Sequence, residues 1–219
     1  ALSRYLSTRG LWLVALELTI VRFGWSFHAA PDFLFFQVMW AIGVSMLVLA
    51  ALVFMPPAAI VSVGLGLMIG HHLLDGVAAA DLGAAGGLWH FVHEPALLQP
   101  SAGFTVLALY PIVPWIGVLA LGYGLGPVLA HGPEQRQRRL RAMGLAVCGG
   151  FVLLRASNLY GDPMPWSVEP ELWATLLSFI NCEKYPPSLL YLSMTLGPAL
   201  LVLAHLDVRA TSVAASGSL

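Results

Sequence analysis

The chain has 219 residues, 58% of them hydrophobic and only 10% charged, with a mean hydropathy of +0.82. Soluble domains carry about 25% charged residues, so water is excluded as the main solvent and an integral membrane protein follows. A formal net charge of -1 also argues against nucleic acid as a partner, because phosphate binding needs an extended cationic face.

The first apolar segment, Gly10 to His28, follows Arg4 and Arg9 as a signal peptide would. Glu17 and Arg22 interrupt it and no cleavage pattern follows His28, so it reads as a retained helix. Pro31 and the Pro56-Pro57 pair delimit a second helix over Phe33–Met55 and a third over Ala58–Val77. Each comes close to the ~20 residues that cross a bilayer. Beyond a Gly-rich loop, further helices are predicted over Phe104–Leu129, Arg141–Leu154 and Ser188–His205. The fifth is short. Thirteen residues separate Arg141 from Arg155. At ~1.5 Å each they fill a ~30 Å core only if the arginines snorkel or the helix continues toward Tyr160. Between the last two helices, Pro170 with Glu169 and Glu171 suits a helix start. Leu172, Trp173, Leu176, Leu177 and Ile180 then recur at helical spacing, as in a short helix lying in the membrane interface. The fold class expected is all-α: a polytopic membrane helical bundle of about six transmembrane helices over residues 1–209. A flexible Ala/Ser/Gly-rich tail follows over 210–219.

Alternate threading of six helices gathers Arg4, Arg9, Arg136, Arg138, Arg139, Arg141 and Arg209 on one side, with the dense run Arg136 to Arg141 in a short loop. The opposite loops carry Asp32, Asp81, Glu94, Asp162, Glu169, Glu171 and Glu183 against only Arg155 and Lys184. Positive loops stay in the cytoplasm, so both ends are expected there. Gly66 with Gly70 and Gly122 with Gly126 either let helices approach closely or reflect the general abundance of Gly in membrane helices. Cys148 and Cys182 fall at different depths, which disfavours a disulfide between them.

Charges inside a bilayer cost at least a few kcal/mol, so Glu17, Arg22 and Asp75 need partners or a wet cavity. Glu17 and Arg22 stand five apart and each looks for a partner on another helix; a snorkel toward the surface is the plainer reading of Arg22. His71 and Asp75 are one helical turn apart, and a carboxylate that fixes an imidazole's tautomer and raises its basicity makes a general base. His90 and His93, with Glu94, add to the same loop region. The candidate catalytic residues are therefore His71, Asp75, His90 and His93, against the plainer role of hydrogen bonding to loop backbone. Metal binding is the weaker reading, because Trp89-His90-Phe91-Val92-His93-Glu94 lacks the H-E-x-x-H order and no Cys is near. Gly122-Tyr123-Gly124-Leu125-Gly126 lies inside an apolar helix and not after a strand, which rejects dinucleotide binding, and no nucleophile elbow is present. Pro111 and Pro114 should kink the fourth helix, and broken helices line cavities in transporters, so a transporter or a non-catalytic membrane-complex component remains the rival.

Three blocks carry a resemblance. They are Leu2-Ser3-Arg4-Tyr5-Leu6 through Thr8-Arg9-Gly10-Leu11-Trp12 with Glu17 and Arg22-Phe23; Tyr110-Pro111 with Pro114-Trp115-Ile116-Gly117-Val118 and Leu121-Gly122-Tyr123; and Lys184-Tyr185-Pro186-Pro187-Ser188-Leu189-Leu190 ending in Thr195-Leu196-Gly197-Pro198. They resemble bacterial proteins of the DUF1624 group, which is similar to the catalytic domain of heparan-alpha-glucosaminide N-acetyltransferase. The resemblance implies transfer of an acetyl group from cytoplasmic acetyl-CoA to an amine or hydroxyl across a bacterial inner membrane. On that reading Arg136, Arg138, Arg139 and Arg141 suit the CoA phosphates, although positive-inside topology alone would also account for them. The partners implied are the lipid bilayer and an acceptor glycan of the cell envelope, with a homo-oligomer left open. Family members carry their catalytic Asn and His on a helix upstream of the part seen here. No position matches these two, and the chain reads as the middle of a longer protein.

Overall fold

The computed structural model describes residues 1–30 and 32–216, with side chains in the last helix described through Asp207. Two compact units follow one another in the chain, residues 1–124 and the residues from 125 onward.

In the first unit, helix α1 (Leu2–Leu16) continues through a π-helical turn at Glu17–Val21 into α2 (Arg22–Ser26). Strand β1 (Phe33–Phe36), α3 (Val38–Leu52) and α4 (Pro57–Gly70) follow. Two 3-10 stretches, His71–Leu74 and Ala79–Ala85, lead into α5 (Gly86–Val92). Then come β2 (Ala96–Ser101), β3 (Phe104–Ala108) and α6 (Ile112–Gly124). The strands form a small sheet in the order β1-β3-β2, with β1 parallel and β2 antiparallel to β3. Gly103, at φ 77, takes the left-handed turn between β2 and β3.

The sheet corrects the starts of two expected helices. Phe33-Leu34-Phe35-Phe36 pairs with Thr105-Val106-Leu107-Ala108. Continuous apolar runs carry no period, so a short buried strand and a helix segment look alike in sequence. Pro111 and Pro114 consequently lie beside the first turn of α6, where a missing N–H is tolerated, and do not kink the middle of a span.

The close helix contacts lie away from the two glycine pairs singled out in the sequence. A Cβ on Gly10 would stand 2.6 Å from the Gly43 carbonyl oxygen, and one on Gly43 2.7 Å from that of Gly10, so α1 and α3 touch backbone to backbone. Gly64 and Gly117 bring α4 and α6 together in the same way, at 3.0 and 2.9 Å. Gly66, Gly70, Gly122 and Gly126 face open space, where the general abundance of Gly in membrane helices is the sufficient reading. Leu49, Ile60 and Ala120 form the buried core between α3, α4 and α6.

The second unit contains α7 (Gly126–Leu129), α8 (Pro133–Ser157), α9 (Leu172–Ile180) and α10 (Leu189–Ser216). Helix α8 has 25 residues, about 37 Å at ~1.5 Å per residue, and is long and apolar enough to cross a bilayer with Arg136 to Arg141 at one end and Arg155 at the other. Pro133 at its first turn starts it eight residues before Arg141, so the arginine run is helical and not a loop. Helices α8 and α10 pack through Gly144 against Leu201 and Gly197 against Cys148. The Arg136 guanidinium grips Asp207 with two hydrogen bonds of 2.8 and 2.5 Å. Both thiols are free. The tail expected over 210–219 includes 217–219, which lie outside the described residues, and α10 continues to Ser216.

Among the described residues, four helical stretches are long and apolar enough to cross a membrane: Pro57–Leu74, Ile112–Leu129, Pro133–Ser157 and Leu189–Asp207. Val38–Leu52 is apolar but shorter. The architecture is a membrane helical bundle with a small sheet added to it.

Candidate active site

Just after α4 the backbone tightens from α to 3-10, and this sets the geometry of the histidines. Residues three apart eclipse in a 3-10 turn, so Asp75 stands over His72 and not over His71. His72 Nδ1–H donates to Asp75 Oδ2 at 2.7 Å. The expected His71–Asp75 pair is corrected accordingly: His71 Nδ1–H donates to the Met68 carbonyl at 3.0 Å. His72 is absent from the candidate catalytic residues because a continuous α-helix would pair Asp75 with His71 in its place.

Asp75 takes a second imidazole from His93, the residue that ends α5. Gly86 at the start of that helix lies so close to the Ala79 carbonyl that a Cβ has no room. Trp89 Nε1–H donates to Val77 O at 3.0 Å, and Ala79 N–H donates to Glu94 Oε2 at 3.0 Å. These ties hold α5 against the segment after α4, and His93 Nε2–H reaches Asp75 Oδ1 at 3.1 Å. His90 turns away, with Nδ1–H donating to Glu94 O at 3.0 Å. Of the four histidines, three therefore gather and His90 holds its own loop.

A carboxylate and a carbonyl accept only, so the nitrogens facing them carry the hydrogens. This leaves the other nitrogen of each neutral ring with a lone pair. His93 Nδ1 and His71 Nε2 are both buried and without a hydrogen-bond partner, while the two residues are only 4% and 2% exposed. The rings are 6.1 Å apart between centroids. Burial pushes the His93 pKa below the ordinary 6.5, and Asp75 works against that shift. A carboxylate holding one nitrogen while the other stays basic and desolvated is the arrangement of a general base. No group of three His, Cys, Asp or Glu side chains among the described residues converges as a metal ion requires.

Glu17 of the π-helical turn and Arg22 of α2 are both committed to backbone groups. Glu17, 1% exposed, accepts the Trp40 backbone N–H at 3.0 Å and so caps α3 from another helix. Arg22 donates forward to the carbonyls of Ala29 and Ala30, at 3.2 and 2.7 Å, in place of the partner on another helix that is one of its two expected readings.

At the start of α8, Gly132, Pro133, Glu134, Gln135 and Arg138 line an open cavity of about 840 Å³. Arg138, Arg139 and Arg141 are exposed and make no ion pair among the described residues. These three are uncommitted cations, as an anionic ligand requires. Arg136 fits less well, because Asp207 and the carbonyls of Leu129 and His131 already occupy it.

A family model described as heparan-alpha-glucosaminide N-acetyltransferase, catalytic, matches residues 3–154. The chain belongs to that family. No curated protein and no solved structure matches it. The match includes the Asp75 site and the arginine run, and it ends before α9 and α10. Membership in the heparan-alpha-glucosaminide N-acetyltransferase family and four membrane-length apolar helices together make this a membrane protein of acetyltransferase type.

Proposed function

We propose that the protein moves an acetyl group from acetyl-CoA on the cytoplasmic side to an amino sugar or other glycan of the cell envelope on the far side of a bacterial inner membrane. The observation that carries the reading is His93, tied to Asp75 through Nε2 with Nδ1 buried and unpartnered. In the transfer, His93 Nδ1 takes the proton from the acceptor amine or hydroxyl as that atom attacks the thioester carbonyl. Asp75 stabilises the imidazolium that forms, and the CoA thiolate is the leaving group. His71 Nε2, oriented by the Met68 carbonyl, is the second base available to the same acceptor. Arg138, Arg139 and Arg141 receive the CoA phosphates, and Arg136 braces α8 on α10. His90 keeps the loop in place. The sequence's division of charge, with basic residues gathered in one set of predicted loops and acids in the other, supports the direction of transfer.

Acetyl-CoA should raise the melting temperature of the purified protein, since a ligand at 100 times its Kd stabilises by about 2.7 kcal/mol. Arg138→Gln with Arg139→Gln should abolish that protection. His93→Gln should retain the protection and lose about 100- to 10,000-fold in acetyl transfer. An unaltered transfer rate in His93→Gln would remove the residue from the mechanism. Protection by a sugar or an ion but not by acetyl-CoA would favour a transporter.

A further inference from the structure

Helix α9 wears its apolar face outward. Leu172, Trp173, Leu176, Leu177 and Ile180 are 76, 66, 59, 53 and 50% exposed and fall on one side of the helix. The opposite side spends its polar atoms inside its own unit: Ser167 N–H donates to Ser178 Oγ at 3.0 Å, and Glu169 N–H donates to Thr175 Oγ1 at 2.9 Å. Phe179 points the same way, with ring centroids 5.9 Å from Phe151 and 5.3 Å from Trp166. A water-soluble protein arranges a surface helix the other way round.

The position of α9 along the neighbouring span decides what covers that face. Arg155 lies in the last turn of α8, a membrane-length helix, and its guanidinium binds the carbonyls of Ser178, Phe179 and Asn181 at the end of α9. Helix α9 is thereby fixed at the level where a span meets the headgroups. Its surface is continuous in kind with Val152 and Leu153 of α8, 50 and 75% exposed, which are residues for lipid tails. Trp173 suits the same depth. The charges near α9 are mainly acidic, with Glu169, Glu171 and Glu183 against Lys184, so anionic headgroups are repelled.

We propose that α9 is an in-plane anchor, with Leu172, Trp173, Leu176, Leu177 and Ile180 sunk at the boundary of headgroups and acyl chains in an electrically neutral bilayer. The test is depth measurement by spin labelling in phosphatidylcholine nanodiscs. Nitroxides are placed one at a time by Leu172→Cys, Leu176→Cys, Ile180→Cys and Glu169→Cys, in a Cys148→Ala and Cys182→Ala background. The three apolar-face labels should collide several-fold more with oxygen than with a water-soluble nickel chelate, and the Glu169 label should show the reverse. Equal access to the chelate at all four positions would overturn the proposal. Protection from both reagents, the mark of a second copy or another protein on that face, would overturn it equally. Should a labelled variant fail to fold, quenching by brominated phosphatidylcholine gives the same reading through Trp173, as the quenched fluorescence that Trp173→Phe removes. No such difference would count against the anchor.

Discussion

Asp75 binds two imidazoles with its two oxygens, and the geometry of the whole histidine group depends on that one side chain. Asp75→Asn keeps the shape but can donate as well as accept, so it permits the wrong tautomer of His93. Acetyl transfer should fall at least about 100-fold, with acetyl-CoA protection retained. The pH dependence follows from burial of His93, whose pKa lies below 6.5 in the folded chain. A histidine depressed on folding contributes stability above its unfolded value, and that contribution is lost as pH falls below about 6.5. Melting temperature should therefore drop between pH 7 and pH 5, and less steeply in His93→Gln. Cys182 is a quieter case, since burial pushes its thiol from 9.0 to about 11. At pH 8 it should alkylate about 100-fold more slowly than an ordinary thiol, because only the thiolate reacts.

At the scale of elements, backbone contact between helices is the feature most exposed to test. Gly43→Ala places a methyl group 2.7 Å from the Gly10 carbonyl and should lower stability by about 1–3 kcal/mol, measured by thermal unfolding in detergent. Gly66→Ala meets open space and should be neutral or stabilising by up to about 1 kcal/mol. The sequence marked the second kind of glycine and not the first, because Gly10 and Gly43 are 33 residues apart and only the fold shows them as a pair. The same limit applies at His72. Helix α4 was legible from its apolar run and its proline start, whereas the change to three residues per turn at His71 leaves no mark in composition. Strands β1 and β3 were hidden by apolar runs without period, and α9 was visible because Pro170 and the leucine spacing stand out against a polar loop.

For the whole molecule, hydropathy made the membrane class readable, and the two blocks of residues that fall within 3–154 made the family readable, while the partner of each buried charge emerged only from the fold. Orientation can be tested directly. Ala84→Cys should react with an impermeant maleimide in intact cells and Gln137→Cys only after permeabilisation, in a background free of Cys148 and Cys182. Arg155 has the widest consequence. Only 1% exposed, it donates at 2.7 to 3.0 Å to the carbonyls of Met164, Ser178, Phe179 and Asn181. The terminal carbonyls of a helix ordinarily demand water or a cap. Here a side chain from the neighbouring helix performs the hydration, so this corner of the chain can stay dry without leaving its oxygens bare.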